Sequence, residues 1–378
     1  MKNIHYIAHY GKHDNNRNLN ISSAGISKMS YIITSIKKAG FNINVLSTAP
    51  TRNRFWCHYK WHELQVDTQE KNIYIDIFGS NFRFLRGLSL FWIWIQMLYY
   101  IFLKVKKNDT ILIYHSCFYM IPILIAKKLK NIHLVIEVEE IYNASLGNEK
   151  PAQEREIRYL KIADSYILVN DLMAGICGFS KPYITSYGNY LIPQVTSSKE
   201  SAQCIHLVYA GIIEKIKYGA FIAVECARFL TEEYKVHILG FGEDIYIKEL
   251  KSRISEVNQY VGREAVIYYG SMHGEEYSRF LAKCHFGLST HINKGDYVDL
   301  TFPSKLLVYI AHHLIPVCSR IACVEKSKIA QSVVFYNGNE PRAVAEAVMS
   351  TKLKKNTSQE ILNQLDQEFI SSLKNILD

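Results

Sequence analysis

Short apolar runs alternate with helix-spaced stretches along this chain, and the alternation restarts once. "NIHYIAHYG" (3–11) reads as a strand, and residues 26–39 carry apolar positions at helical spacing up to a stop at Gly40. Strand-like runs follow at 43–49, 72–79, 110–116, 133–140 and 165–170, with helical stretches between them, and 182–191 closes the first half. The polar, small-residue stretch "PQVTSSKESAQ" (193–203) then marks a boundary. Beyond it the strand runs are 205–211, 234–244, 265–272, 286–291, 314–319 and 332–336, with helices expected at 219–230, 340–350 and 357–377. A strand, a helix and a second strand in one parallel sheet require a right-handed crossover. The expectation is therefore α/β, with two doubly wound Rossmann-like domains facing each other across a cleft. The first domain is expected over 1–195 and the second over 204–350. The segment 351–378 is expected to be a C-terminal helix packing back on the first domain.

A chain of 378 residues that is 48% hydrophobic and 21% charged can bury two cores. Its formal charge of +9 suits an anionic ligand or an anionic membrane surface. The basic residues are scattered without a recognition module, which argues against nucleic acid. Eight cysteines without a Cys-x-x-Cys pair, mostly inside apolar runs, read as free thiols in a reducing compartment. "MKNIHYIAHYG" reads as a first strand and not as a signal peptide. "LSLFWIWIQMLYYIFLKVKK" (Leu88–Lys107) is the most apolar stretch, with Arg83 and Arg86 before it and Lys104, Lys106 and Lys107 at its end. Its apolar core is about 16 residues, short of the roughly 20 that span a bilayer. Trp92, Trp94, Tyr99 and Tyr100 suit an interface. The segment Arg83–Lys107 is thus expected to dock a cytoplasmic protein on the inner face of the cell membrane.

The second half resembles the nucleotide-sugar-binding half of a GT-B glycosyltransferase of the retaining, family 4 type. Four stretches carry the likeness in order: "VYAGIIEKIKYGAFIAVE", "VHILGFGED", "YYGSMHGEEYSRFLAKCHFGLSTH" and "TFPSKLLVYIAHHLIPVCS". The first half agrees more loosely, and its opening "HYGKHDNNRNLNISSAGISKMSYI" resembles transferases of bacterial surface-polysaccharide assembly. The resemblance implies transfer of a sugar, with anomeric retention, from a nucleotide-diphosphate donor to a hydroxyl of a saccharide acceptor, plausibly lipid-linked. It implies no bound cofactor and no metal. No Asp-x-Asp occurs, and the adjacent His312 and His313 do not share a helix face.

Physical chemistry gives these residues roles that the resemblance frames. Gly211 allows backbone to approach a phosphate, and the resemblance implies that either Lys215 or Lys217 contacts the diphosphate. The resemblance implies that Gly240 and Gly242 form a nucleotide-cleft turn and that Gly270, Ser271 and Met272 pack on the base. Thr301, Phe302, Pro303 and Ser304 lead into a helix started by Pro303, whose N–H groups and dipole suit a diphosphate, with Lys305 adding charge. The apolar stretch after Pro303 reads as helix up to Ile315–Val317, overlapping the strand run at 314–319. The family's two acids fall on Leu300 and Val308 here, so Asp299 or Asp296 is the nearest carboxylate to stand in. In the first half, Asn16, Arg17, Ser23 and Gly25 follow the first strand and suit an acceptor, Arg17 by pairing with a phosphate. His115 ends a strand at the expected cleft and is a catalytic candidate, and Glu139, with Glu137 and Glu140 beside it, is the candidate carboxylate to orient an acceptor hydroxyl. The departure at Val308 keeps two alternatives open: a non-catalytic GT-B partner that binds a nucleotide sugar, and a GT-B epimerase, which needs no membrane-facing segment.

Overall fold

The computed structural model describes residues 2–14, 16–195, 204–216, 218–291, 296–353 and 359–378. Lys217, a diphosphate candidate, lies outside the described residues, as does the side chain of Asp296. The chain divides into two compact units, Met1–Asn189 with Asp366–Asp378, and Tyr190–Leu365.

The first unit has ten strands: β1 (Asn3–Ala8), β2 (Asn42–Ser47), β3 (Cys57–Tyr59), β4 (His62–Gln65), β5 (Glu70–Tyr74), β6 (Ile77–Gly79), β7 (Thr110–Tyr114), β8 (His133–Val138), β9 (Ser165–Leu168) and β10 (Tyr183–Thr185). Eight of them form one sheet in the order β10-β9-β8-β7-β1-β2-β5-β4. All neighbours are parallel except the edge strand β4. The central strands β1, β7 and β8 are almost wholly buried. That is why they read as continuous apolar runs: helices cover both faces of a parallel sheet. The order reverses direction between β1 and β7, so the ends of those two strands flank the switch point. The run 72–79 is not one strand. It breaks at Asp76, and β6 turns away to pair antiparallel with β3 as a separate ribbon. Neither β3 nor β4 shows an apolar alternation in the sequence, because β4 is exposed and the three-residue β3 is only half-buried.

The apolar segment forms a helix over Arg83–Lys104, starting before Leu88 and long enough, by length and composition alone, to cross a membrane. Its inner stripe holds it to its own domain. Ile93, Met97, Tyr100 and Ile101 are buried. Ser89 Oγ donates to the Phe78 carbonyl at 2.8 Å, and Gln96 Nε2 donates to the Asp76 carbonyl at 2.7 Å. The last stretch of the C-terminal helix Gln359–Leu377 belongs to this unit. Tyr31 Oη donates to Asp366 at 2.9 Å, Phe369 stacks on the Tyr31 ring, and Thr110 Oγ1 donates to the Leu377 carbonyl.

The second unit is a six-stranded parallel sheet of β11 (Ile205–Ile213), β12 (Tyr234–Gly242), β13 (Val266–Gly270), β14 (Phe286–Ser289), β15 (Ile315–Ser319) and β16 (Val334–Tyr336). Its order, β13-β12-β11-β14-β15-β16, is the Rossmann order, with the switch point between β11 and β14. Phe221 and Val224 of the helix Gly219–Glu225 pack with Leu207, Val236, Phe286 and Val317 of the sheet. The helix after Pro303 is shorter than the sequence suggests. It spans Lys305–Ala311, His313 adopts a left-handed φ of 62°, and Ile315–Val317 already belongs to β15.

Candidate functional site

In the second unit, the carboxyl-terminal part of β11 packs against one lysine. Lys305 Nζ lies 4.2 Å from the centre of the Tyr209 ring. A Cβ on Gly211 would collide with the Lys305 ammonium, so glycine leaves the room that the cation occupies. Burial pulls the Lys305 ammonium down to about 8, against a smaller pull from Glu214 in the other direction. Among the described residues no carboxylate lies within ion-pair distance of it. A desolvated cation without an ion-pair partner is unfavourable alone and favourable once an anion arrives.

The surroundings of Lys305 explain much of the local sequence. Tyr309, on the next turn of the same helix, donates to the Leu288 carbonyl and accepts from the Ala210 N–H, both at 3.2 Å. It thereby ties the helix to β11 and β14. A Cβ at Gly287 would enter the Tyr309 ring. Gly240 and Gly242 do not form a turn. Both lie within β12, opposite Gly211 and Ile213 of β11. A side chain at Gly240, whose φ is +151°, would strike the Gly211 carbonyl, and one at Gly242 the Ile213 carbonyl. These glycines serve strand packing beneath the site.

Other expected donor residues fall differently. Lys215 is exposed and pairs with Glu249 at 2.9 Å, so its charge is already matched. The N–H groups of Ser304, Leu306 and Leu307 go to the carbonyls of Phe302, Pro303 and Ser304. The helix start therefore offers an anion less than expected, and the ammonium carries the positive charge. Thr301 Oγ1 donates to the Val298 carbonyl at 3.4 Å, and Phe302 is buried. Asp299 accepts from the Cys323 N–H at 3.0 Å, at the start of the helix Ala322–Glu325. That carboxylate oxygen is taken up by the start of this helix. Val308 packs against the apolar cluster of Val208, Leu239 and Tyr309, and Leu300 is buried. Gly270 ends β13 at φ +75°, with exposed Ser271 and half-buried Met272 after it.

In the first unit, Arg17 is buried and fully engaged. Its Nε pairs with Asp14 at 2.9 Å, Nη1 donates to the Ile75 carbonyl at 2.6 Å, and Nη2 reaches the Lys60 carbonyl and His62 Nδ1. Arg17 thus holds loops together and does not present itself to an acceptor phosphate. Ser23 opens the helix Ser23–Lys38, and the Gly25 N–H is taken by Ser22 Oγ at 3.0 Å. Asn16 is exposed at the mouth of a cavity. His115 is enclosed, with Nδ1 3.2 Å from the Glu140 carbonyl and Nε2 3.3 Å from Glu156. Burial pulls it down to about 4, and the enclosed ring is held by these contacts and does not face an acceptor as a catalytic candidate would. Together with Cys117 and Glu156 it makes the one His/Cys/carboxylate group among the described residues with metal-ligand spacing. Glu156 is already used there, accepting from the Tyr142 and Asn143 N–H groups.

Glu139 remains partly accessible and pairs with Lys28 at 3.2 Å. Lys28 is buried and donates to the Ser186 carbonyl and Oγ, each at 2.8 Å. Glu137 is fully buried and accepts from Tyr6 Oη at 2.5 Å. Burial, then the nearby Glu139, pushes Glu137 up to about 8. The sequence pointed to acids after β8 but not to Tyr6, Lys28 and Ser186, which come from distant elements. Their only sequence signal is a lysine on the apolar face of a helix.

No family model matches the chain, and no curated protein matches it in sequence. Solved structures do match in fold. The alpha,alpha-trehalose 6-phosphate synthase from Burkholderia multivorans has a TM-score of 0.69 at 8% identity, with 100% of this chain and 97% of that chain covered. An E. coli trehalose-6-phosphate structure bound with UDP-2-fluoro glucose gives 0.66 at 9% identity, with 100% and 99% covered. The lipopolysaccharide outer core galactosyltransferase WaaB, in its apo form, gives 0.61 at 14% identity, with 99% and 98% covered. The fold is GT-B. At such identities the likeness establishes two Rossmann-like domains over the whole chain and leaves the chemistry to the side chains.

Proposed function

We propose that the chain is a glycosyltransferase that moves a sugar, with retention, from a nucleotide-diphosphate donor to a hydroxyl of a lipid-linked saccharide. The observation that carries this reading is Lys305: a desolvated ammonium at the Rossmann switch point, unmatched by any described carboxylate, in the space Gly211 leaves. A diphosphate supplies the missing charge, and the same contact stabilises that diphosphate as it departs. The matching E. coli structure is described as bound with UDP-2-fluoro glucose, which supports a nucleotide-sugar donor. In the first unit, Glu139 and Lys28 are the groups suited to orient an acceptor hydroxyl, and no metal or cofactor enters this reading.

We place the protein on the inner face of the cell membrane. Phe84, Leu88, Phe91, Ile95, Tyr99 and Leu103 form an exposed stripe on the Arg83–Lys104 helix. Arg83, Arg86, Lys104, Lys106 and Lys107 rim it without a described carboxylate partner, which suits an anionic surface. A rival reading, donor binding without turnover, draws on the packed Val308 and the capping role of Asp299. Thermal unfolding of the purified protein with a panel of nucleotide sugars tests donor binding. One donor should raise Tm; a flat response to every donor refutes the assignment. Release of free nucleoside diphosphate in the presence of a membrane extract separates transferase from silent binder.

A further inference from the structure

A cavity of about 570 Å³ opens at the carboxyl ends of β1 and β5, within the first unit. Its wall includes His13, Asn16, Arg17, His58, Lys60 and His62, with Asp14 as its acid. Asp14 is already matched by Arg17 at 2.9 Å, and among the described residues neither Lys60 nor His13 has a carboxylate within ion-pair distance. The lining therefore holds more N–H donors and positive charge than counter-charge. Its volume suits a small headgroup and not a single ion. Such donors recognise phosphate oxygens.

One wall of this cavity is also part of the apolar surface. His58 Nε2 bonds Asp76 Oδ2 at 2.8 Å, while Trp92 Nε1 donates to the other oxygen of the same carboxylate at 3.2 Å. Trp92 sits on the exposed side of the Arg83–Lys104 helix, and Trp56, itself exposed, packs on Phe78 of β6. His58 and Phe78 are cross-strand partners in the β3–β6 ribbon. The helix Met120–Lys130 extends the apolar area with Ile121, Leu124, Ile125 and Leu129, and Lys130 fixes it by donating to the carbonyls of Ile101, Phe102 and Val105. A site for a water-soluble anion needs no such neighbour. An amphiphile needs both.

We infer that this cavity binds the phosphorylated headgroup of a membrane-embedded amphiphile, whose hydrocarbon leaves along the Trp56–Trp92 edge into the bilayer beside the Phe84–Leu103 stripe. The inference rests on the lipid-linked acceptor reading above and assigns its headgroup to particular residues. The test is titration of the full chain with farnesyl diphosphate, farnesol and inorganic pyrophosphate, followed by tryptophan fluorescence, since Trp56 and Trp92 line the exit. Farnesyl diphosphate should bind at least about tenfold more tightly than either fragment. The double variant His13→Gln/Lys60→Gln should lose about tenfold for farnesyl diphosphate while keeping its Tm and its affinity for farnesol. Equal binding of pyrophosphate would reduce the site to a free-anion pocket, and equal binding of farnesol would reduce it to a greasy surface. Either result, or a double variant that binds as wild type does, overturns the inference. The probes contain no nucleotide, so failure of donor binding at Lys305 leaves this experiment untouched, and failure here leaves the donor panel untouched.

Discussion

Replacing Lys305 with methionine should make the free protein more stable and the donor complex impossible. The ammonium is held at about 8 where a solvated lysine sits at 10.5. That difference corresponds to a penalty of about 3 kcal/mol on the charged form. Partial exposure screens some of it, and the Tyr209 ring 4.2 Å away returns about 1 kcal/mol. Methionine fills similar volume without charge, so a net gain of about 1–2 kcal/mol is expected near pH 7. The pH dependence follows from the direction of the shift. A lysine whose folded value is lowered destabilises the protein fully below about 8, and the penalty fades as pH rises from there towards 10.5. Urea unfolding of both proteins at pH 7 and pH 9.5 should therefore show the variant ahead at the lower pH, with the gap shrinking to about half or less. In the same variant the donor-induced rise in Tm should vanish, because losing one charged donor in a dry site costs roughly 2–4 kcal/mol of binding to a developing anion. A variant less stable than wild type at pH 7 that is still stabilised by donor would refute the claim that Lys305 waits for a diphosphate.

Glu137 makes a complementary prediction. Its folded value is raised to about 8, so its contribution is fully present below about pH 4.5 and is lost as pH rises through 8. Glu137→Gln should gain on wild type between pH 5 and pH 8.5 by up to a few kcal/mol in urea unfolding, and a constant difference would show that the carboxyl is ionised throughout. Gly240→Ala should destabilise by at least about 3 kcal/mol or prevent folding, because its Cβ would meet the Gly211 carbonyl. Gly262→Ala, also at positive φ but with open space around it, should cost only about 1 kcal/mol by the same measurement.

What the sequence revealed follows from how each element is buried. Strands β1, β7, β8 and β11 are covered on both faces, and a doubly covered strand must be apolar throughout, so these were legible. Strand β4 is exposed and short and the three-residue β3 is only half-buried, so nothing in their composition separates them from a loop. They nevertheless build one wall of the cavity. The break at Asp76 was invisible for another reason. The residues on either side stay apolar, and only the partner strand changes, from β2 to β3. The helix after Pro303 was read too long because "LLVYIAHHLIPV" keeps its apolar character across two elements. The left-handed His313 divides them, at a residue type that does not announce a turn.

The same logic sorts the candidate cations, and it is the side-chain pairing, not the lysine or arginine itself, that decides. Arg17, Lys215 and Lys305 all stood as equals in the sequence. The structure gives Arg17 a buried carboxylate and backbone carbonyls, so its charge is consumed by the fold. Lys215 has an exposed carboxylate, a pairing worth about 1 kcal/mol or less. Lys305 alone of the three combines desolvation with no described carboxylate within ion-pair distance, the pull of Glu214 only partly offsetting its burial. Folding tolerates such a group only where something else repays its desolvation, and the Gly211 and Tyr309 packing that confines it would be wasted on a solvated lysine. The acid pair that the sequence resemblance implies falls on Leu300 and Val308, neither of which can accept a hydrogen bond through its side chain. Both positions pack apolar side chains here, so the proposed donor role is tested most directly at Lys305.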